Sequence, residues 1–375
     1  MSKELNSFSE KRQDSVIAEW ALLQAPLNYQ YLKQHFIPPP HFEKATLDGY
    51  ITDPNFLSQA EAVASLKKFL TEFREHAKRK RQSEKYFGWL SRKPSPASLQ
   101  GLYLDGIFGV GKTHLLASLF HAAEGKKAYL SFTELVYLVG LQGLEALVEE
   151  FAQYDLICID EFELDDPGNT TMSLGFLERV IARGGIFAAT SNTPPYRLGE
   201  GRFDARNFQR EIKEMASRFK VIPIDGLDFR LHKFRKQGVD QMEYRSNPLE
   251  LGSRWNCEDI ESCFNSFKPL NSKHAIILSL SALLDHLRRF HPMHCIQLAE
   301  AHAGIFIKEM DQISHQYDAL RFVYFIDKCY DHEVSIFTSG NLPLPSLFPE
   351  EFYQSAYAKK YLRCVSRLSE ICNSF

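Results

Sequence analysis

The sequence lacks several features that would place it in a specialised class of protein. No apolar run approaches the roughly 20 residues that a membrane-spanning helix needs, and the polar residues 1–15 contain no apolar segment typical of a secretory signal. The seven cysteines form no regular framework, and Cys158 lies within an apolar run. We therefore expect a reducing, cytoplasmic location. An excess of basic charge is also absent, since the net charge is −3, which argues against a nucleic-acid partner.

Residues 1–98 form an N-terminal region with helical patterns. This region ends in a basic segment, residues 78–93, in which Tyr86, Phe87 and Trp89 are interleaved with lysines and arginines. Such a segment can contact nucleic acid or an anionic membrane surface, although it is more often a solvated helix face. A peripheral membrane contact through this segment therefore stays open as an alternative.

The pattern changes at residue 99 and again at residue 230. Residues 99–230 alternate short β-leaning runs with helical stretches, which predicts an α/β core with a parallel five-stranded sheet flanked by helices. Residues 231–375 carry helical patterns at Ile276–Phe290, Tyr317–Tyr330 and Phe352–Ile371, which predict a helical lid domain. No internal repeat is evident in the sequence.

The strongest motif follows the first β-leaning run of the core and matches GxxxxGK[ST]. A strand precedes it and a helix follows it, as a phosphate-binding loop requires. Glycines let the backbone N–H groups surround phosphates, and the helix N-terminus adds partial positive charge. We expect the lysine to contact the β- and γ-phosphates of ATP and the threonine to bind Mg²⁺. The loop consists of Gly106, Ile107, Phe108, Gly109, Val110, Gly111, Lys112 and Thr113.

A second motif is the carboxylate pair Asp160-Glu161, which ends the apolar run Leu156–Ile159. The carboxyl end of a parallel strand lies at the edge of the sheet where phosphates bind. We expect Asp160 to hold Mg²⁺ and Glu161 to orient and deprotonate the attacking water. The acidic residues that follow, at positions 163, 165 and 166, are interpreted as solvated loop charges or helix caps.

A third β-leaning run, Ile186–Ser191, ends next to Asn192. This position is similar to the sensor 1 of AAA+ ATPases, which contacts the γ-phosphate or the attacking water. Asn192 is our choice for that role, with Thr190 or Ser191 as the alternative. The three motifs in this order predict an AAA+ P-loop NTPase.

Arginines follow in the interval where AAA+ proteins carry the arginine finger. In such assemblies the finger reaches the nucleotide of a neighbouring subunit and stabilises charge in the transition state. The candidates are Arg206, Arg210 and Arg218, although each one singly is more often a solvated helix charge. The resemblance also implies self-association into a ring or an ATP-dependent oligomer.

The amino-acid sequence around these motifs resembles that of the ZapE-like cell-division ATPases and their mitochondrial relatives. The resemblance rests on GLYLDGIFGVGKTHLLASLFH, LICIDEFELDDPG, FAATSNTPP and the C-terminal SRLSE, and it runs from about Phe42 to the end of the chain. The upstream residues 45–50 belong to it, and in the family this stretch leads into the nucleotide pocket. Two departures are Phe229, where the family usually has tyrosine, and the degenerate interval 231–275. The sensor-2 arginine of the lid has two candidates, Arg321 and Arg367, of which we favour Arg321.

The resemblance implies Mg²⁺-dependent ATP hydrolysis and action at the division ring, with FtsZ as the partner. A different function, loading of a helicase as DnaC does, remains the main alternative, although the net charge of −3 argues against it. An adaptor that binds ATP without hydrolysing it is a third possibility, and the presence of Glu161 argues against that.

Overall fold

The computed structural model describes residues 27–87, 99–164, 167–199, 208–227, 259–268, 273–355 and 357–372. These residues fall into two compact units: residues 28–38 and 42–227 form the first, and residue 27, residues 39–41 and residues 259–372 form the second. The sequence boundaries expected at 98 and 230 border or fall within stretches outside the described residues. Most of the basic segment 78–93 also lies outside the described residues or side chains.

The first unit contains a parallel five-stranded sheet with helices around it. The strands are β1 (Gly101–Gly106), β2 (Lys127–Ser131), β3 (Leu156–Asp160), β4 (Ile186–Ser191) and β5 (Phe219–Ile224). The helices are α1 (Tyr29–Gln34), α2 (Leu57–Phe87), α3 (Lys112–Ala122), α4 (Phe132–Gln142), α5 (Leu144–Phe151), α6 (Pro167–Ala182) and α7 (Gln209–Ser217). Short 3₁₀ turns lie at Pro40–Phe42 and Pro195–Arg197.

The strand order of this sheet, β2-β3-β4-β1-β5, places the three motifs on adjacent strands. All strand pairs are parallel, so the loop after β1, Asn192 after β4 and the carboxylate pair at the end of β3 meet at one edge. The strands β3 and β4 are buried along their whole length, because helices cover both faces of the sheet. The predicted AAA+ α/β fold is therefore confirmed.

The second unit contains helices, as expected for the C-terminal region, together with a parallel three-stranded sheet. Its strands are β6 (His274–Ser279), β7 (His302–Lys308) and β8 (Ser335–Thr338), in the order β6-β7-β8. Its helices are α8 (Ile260–Ser266), α9 (Leu280–Arg289), α10 (Cys295–Ala301), α11 (Gln316–Asp331) and α12 (Ala358–Ile371), with 3₁₀ turns at Pro292–His294, Leu344–Leu347 and Glu350–Gln354. Among the described residues of both units, the helices are too short or too polar to span a bilayer.

The three-stranded sheet is absent from the sequence-based expectation, and the reason lies at its first strand. The segment Ile276–Phe290 was expected to be one helix, but its first residues belong to β6 and only Leu280–Arg289 is helical. Ser279 separates the two elements by accepting a hydrogen bond from the N–H of Ala282, which caps the helix. The apolar residues of β6 are followed directly by the apolar face of α9, so the sequence does not show where the two-residue period of the strand changes to the 3.6-residue period of the helix.

The three-stranded sheet repeats the geometry of β2, β3 and β4. In both units two helices connect the first pair of strands and one helix connects the second pair. Ser131 pairs with Asp160 at the ends of β2 and β3, and Ser279 pairs with Lys308 at the ends of β6 and β7. Ser131 and Ser279 each cap the helix that follows. The two units therefore share this local order of strands and helices, although no repeat is evident in the sequence.

The equivalence extends to single hydrogen bonds beyond the strands. Glu161 and Glu309 both adopt a left-handed backbone, with φ of 54° and 58°. The next N–H groups, of Phe162 and Met310, each donate 2.7 Å to a carbonyl at the end of the third strand. Those carbonyls belong to Thr190 in the first unit and to the equivalent Ser339 in the second. The left-handed glutamate therefore belongs to this strand-and-turn geometry rather than to nucleotide chemistry alone.

Candidate nucleotide site

The loop between β1 and α3 is curled around the ammonium group of Lys112. Nζ of this lysine donates to the carbonyl oxygens of Gly106 at 2.8 Å and Ile107 at 2.6 Å. Gly109 and Gly111 adopt positive φ angles of 79° and 83°, which L side chains rarely adopt. The backbone therefore has the conformation that a phosphate-binding loop needs, with its lysine at the start of a helix.

Two glycines of this loop leave no room for a side chain. A Cβ on Gly106 would lie 2.3 Å from the carbonyl oxygen of Ile224 in β5. A Cβ on Gly111 would lie 2.6 Å from a ring carbon of Tyr50. The loop is therefore enclosed by the last strand of the sheet on one side and by the segment upstream of α2 on the other.

Lys112 is buried, and burial lowers its pKa to about 8. The negative charges of Asp160, Asp105, Glu163 and Glu161 act in the opposite direction and favour the charged form. The ammonium group is thus surrounded by carboxylates and carbonyls at the edge where phosphates would bind. The same ammonium group donates a hydrogen bond of 2.9 Å to Oδ1 of Asn192.

The carboxylate of Asp160 is buried at the end of β3 and is held from three sides. The hydroxyl of Tyr129 donates to Oδ2 at 3.0 Å, and the hydroxyl of Thr190 donates to Oδ1. Thr113 Oγ1 lies 3.4 Å from Oδ1. Burial is the main factor that raises the pKa of Asp160, and the negative charge of Glu161 raises it further. A hard divalent cation would offset the free-energy cost of burying the ionised carboxylate. A carboxylate beside a threonine hydroxyl is a donor set that fits Mg²⁺.

Glu161 follows Asp160 at the rim of the same edge, where its side chain is partly exposed. Its backbone N–H donates to Oγ1 of Thr190 at 2.9 Å, so the first residue after β3 is fixed to the carboxyl end of β4. The left-handed φ turns the chain away from the strand direction at this residue. The geometry thus brings together Lys112, Thr113, Asp160, Glu161 and Asn192, the five residues expected to carry the chemistry.

Glu163 differs from the expectation made for it. It was interpreted as a solvated loop charge or a cap, but only 8% of the residue is exposed. Its Oε1 accepts hydrogen bonds from Ser191 Oγ at 2.8 Å and from the N–H of Asn192 at 2.9 Å. The contact spans 28 residues of sequence, which explains why a local pattern could not reveal it.

Tyr50 is a second residue that the sequence analysis did not single out by itself. Its hydroxyl donates to the carbonyl oxygen of Val110 at 2.6 Å, and its ring packs beside Gly111. Burial raises the pKa of the phenol to about 12. The upstream stretch around residues 45–50 therefore contacts the phosphate-binding loop directly.

We expect Tyr50→Ala to weaken ATP binding about tenfold, because the loop loses both the ring and the hydrogen bond that hold it. Tyr50→Phe keeps the ring and removes only the hydroxyl, so we expect about a twofold to threefold change. Equilibrium binding of a fluorescent ATP analogue measures both variants. Affinity equal to that of the unmodified protein in Tyr50→Ala would show that Tyr50 does not support the loop.

The arginine candidates occupy different environments. Arg210 lies in α7 and Arg218 follows that helix, and both are exposed. Arg206 lies outside the described residues. An arginine that reaches a neighbouring subunit must be exposed in a single chain, so Arg210 and Arg218 both remain predictions for the finger.

The sensor-2 candidates are engaged within the second unit. The guanidinium of Arg321 donates to the carbonyl oxygens of Leu287 and Phe290 and to the hydroxyl of Tyr317. Arg367 is buried and forms ion pairs with Asp327 and Asp331. These contacts stabilise the ends and interfaces of α9, α11 and α12, and the sensor-2 role of Arg321 stays a prediction.

The fold and the edge just described define a P-loop protein of the AAA+ class. Residues 48–374 match the family model described as AFG1-like ATPase. Because this match covers most of the 375 residues, the chain belongs to the AFG1-like ATPase family.

The chain is also similar to individual proteins. The chain is 26% identical over 299 residues to Cell division protein ZapE of Escherichia coli K12, covering 73% of this chain and 78% of that protein. It is 21% identical over 340 residues to the Uncharacterized protein C115.02c of Schizosaccharomyces pombe, covering 75% and 74%. Among solved structures, the DnaC helicase loader is similar over 49% of this chain and 99% of that chain, with 16% identity and a TM-score of 0.35.

Proposed function

We propose that this protein hydrolyses ATP with Mg²⁺ at the edge of its five-stranded sheet. The observation that carries the proposal is the meeting of Lys112, the Thr113–Asp160 pair, Glu161 and Asn192 at the ends of three adjacent strands. Lys112 and the loop amides bind the phosphates, and Thr113 and Asp160 hold the metal ion. The metal ion supplies charge neutralisation at the β- and γ-phosphates when it is bound.

Two residues at this edge act on the attacking water and the γ-phosphate. Glu161 accepts the proton of the attacking water, and Asn192 orients that water or the γ-phosphate. One of three arginines, the exposed Arg210 or Arg218 or else Arg206, acts on the nucleotide of a neighbouring subunit, so that turnover requires self-association. A mixing experiment tests this assignment.

We expect one of the variants Arg206→Ala, Arg210→Ala and Arg218→Ala to lose about 10²-fold or more in turnover while retaining ATP affinity. Adding Lys112→Ala chains, which keep their arginines but cannot bind ATP, restores turnover to that variant in mixtures. Lys213→Ala, an exposed change in the same helix α7, serves as the control and leaves turnover unchanged. Equal activity in all three arginine variants would show that no finger lies in this interval.

We further propose that ATP turnover acts on the division machinery in the cytoplasm, with polymers of FtsZ as the partner. The likeness to Cell division protein ZapE supports this. Sedimentation of FtsZ polymers with this protein and ATP tests it, and we expect a change that ADP and Glu161→Gln do not produce. An unchanged pellet at every stoichiometry would contradict the proposal, and salt-dependent binding of single-stranded DNA would favour the helicase-loader alternative.

A further inference from the structure

Glu163 joins the turn that follows β3 to the turn that follows β4. One carboxylate oxygen, Oε1, accepts from the Ser191 hydroxyl at 2.8 Å and from the Asn192 N–H at 2.9 Å. The other, Oε2, accepts from the Thr193 hydroxyl at 3.1 Å. Three successive residues of the sensor turn are therefore bound to one buried side chain.

The same two turns are also joined by backbone groups. The N–H groups of Glu161 and Phe162 donate to the hydroxyl and the carbonyl oxygen of Thr190, at 2.9 and 2.7 Å. From the neighbouring strand β1, the hydroxyl of Tyr103 donates to the carbonyl oxygen of Thr193 at 2.7 Å. Glu161, the proposed base, and Asn192, the proposed sensor, are thus linked by one network of hydrogen bonds. Glu163 contributes the side-chain bonds of this network, and we call it the anchor.

The second unit shows what this geometry looks like without the anchor. There Glu309 and Met310 make the equivalent bonds to Ser339, at 3.4 and 2.7 Å. The residue equivalent to Glu163 is Asp311, which is exposed, and Gly340 stands in place of Ser191. The strand-and-turn geometry therefore forms without a buried carboxylate.

The metal ligand differs between the units in the same way. Lys308 in the second unit is equivalent to Asp160. A lysine ammonium cannot bind a metal cation, so Lys308 cannot take the role proposed for Asp160 in the first unit. The buried glutamate occurs on the edge that carries the nucleotide machinery, and the exposed aspartate occurs on the edge that lacks the metal ligand.

We propose that Glu163 is a positioning residue for catalysis, which fixes Asn192 relative to the base Glu161. This inference rests on the proposed ATP hydrolysis. Without the carboxylate, two hydroxyls and the Asn192 N–H lose their acceptor, and the turn shifts to find other partners. A displacement of about 1 Å at a positioned group lowers turnover about 10²-fold. The phosphates are bound by Lys112 and the loop amides, and Lys112 keeps its bonds to the carbonyl oxygens of Gly106 and Ile107 when Asn192 shifts, so the affinity for ADP changes much less.

The test compares Glu163→Ala, Glu163→Gln and the matched control Asp311→Ala. We expect Glu163→Ala to lower kcat about 30- to 100-fold while the Kd for ADP stays within about threefold. Affinity for ADP with aluminium fluoride, which resembles the transition state, falls by a similar factor. Glu163→Gln keeps a carbonyl oxygen for the two bonds to Oε1, so its kcat stays within about fivefold. Asp311→Ala leaves every value unchanged.

A second measurement does not depend on turnover. Amide hydrogen exchange of a peptide that spans residues 189–193 reports the order of the sensor turn in the absence of nucleotide. We expect exchange to accelerate about tenfold or more in Glu163→Ala and to stay near the original rate in Glu163→Gln. Ser191→Ala removes one donor and gives an intermediate result, which keeps the test available if Glu163→Ala folds poorly.

The outcomes separate this inference from the proposed function. If the unmodified protein hydrolyses ATP and Glu163→Ala does so equally well, the positioning role is overturned and the ATPase stands. A parallel loss of ADP affinity and thermal stability, with Glu163→Gln as defective as Glu163→Ala, would show a structural role and also overturn it. If the unmodified protein hydrolyses no ATP, the proposed function fails. If amide hydrogen exchange of residues 189–193 is then also unchanged in Glu163→Ala, the claim that Glu163 orders the sensor turn fails as well.

Discussion

Lys112→Ala is expected to abolish measurable ATP and ADP binding, with a rise in Kd of about 10²-fold or more. Truncating one partner of a buried charge pair costs about 2–5 kcal/mol, and each 1.4 kcal/mol is a factor of ten in Kd. Lys112 is the buried cation at the centre of the phosphate-binding loop, bound to the loop carbonyls and to Asn192. Isothermal titration calorimetry measures the loss directly.

Thermal unfolding gives an independent readout for the same variant. A ligand present at 100 times its Kd stabilises the folded state by about 2.7 kcal/mol, so ADP raises the Tm of the unmodified protein. We expect no such rise in Lys112→Ala, whereas the exposed change Lys213→Ala retains it. Undiminished nucleotide affinity in Lys112→Ala would refute the assignment of residues 106–113 as the phosphate-binding loop.

Glu161→Gln is expected to bind ATP normally and to lose turnover by about 10²-fold to 10⁴-fold, the range that a general base contributes. The amide keeps the size of the side chain and leaves Asp160 and Thr113 in place for the metal ion. The backbone bond from residue 161 to Thr190 is also kept, because it uses the N–H group. Phosphate release and ATP affinity, measured together, separate loss of chemistry from loss of binding.

The second unit offers a matched control for this variant. Glu309 occupies the equivalent place, with the same left-handed backbone and an exposed side chain. We expect Glu309→Gln to leave turnover unchanged, since the equivalent edge carries Lys308 where the metal ligand would stand. Normal turnover in Glu161→Gln would remove the base assignment and leave Asp160 as the important carboxylate.

The sequence predicted the first unit well because its signals are local. The glycines, Lys112 and Thr113 stand between a strand and a helix, and the apolar run before Asp160 ends in charge. Each of these patterns covers fewer than about ten residues, within the reach of periodicity and turn chemistry. The order of the motifs along the chain then fixes their meeting at one edge, because parallel strands align their carboxyl ends.

The contacts that complete the site are long-range and could not be predicted in this way. Tyr50 meets Val110 across 60 residues, and Glu163 meets Ser191 across 28. No local pattern distinguishes Glu163 from the acidic residues at positions 165 and 166, which lie outside the described residues. A signal for it exists only in the comparison of ICIDEFE with IFIKEMD, where Asp311 stands opposite Glu163 and the metal ligand is also replaced.

The three-stranded sheet was missed for a different physical reason. β8 has four residues, and β6 continues without a break into the apolar face of α9. Short strands that adjoin amphipathic helices carry no separate period, so the pattern favours one long helix. The helices of the second unit were recognisable because α11 and α12 have 16 and 14 residues.

Single-turnover hydrolysis of ATP tests the central claim most directly. The unmodified protein and Glu161→Gln are each mixed in excess with radiolabelled ATP and Mg²⁺, and bound ATP and released phosphate are followed in the same samples. The account predicts that both bind the ATP, that the unmodified protein releases its γ-phosphate, and that Glu161→Gln retains it. Bound ATP that the unmodified protein leaves intact, or equal phosphate release by the two proteins, would contradict the account.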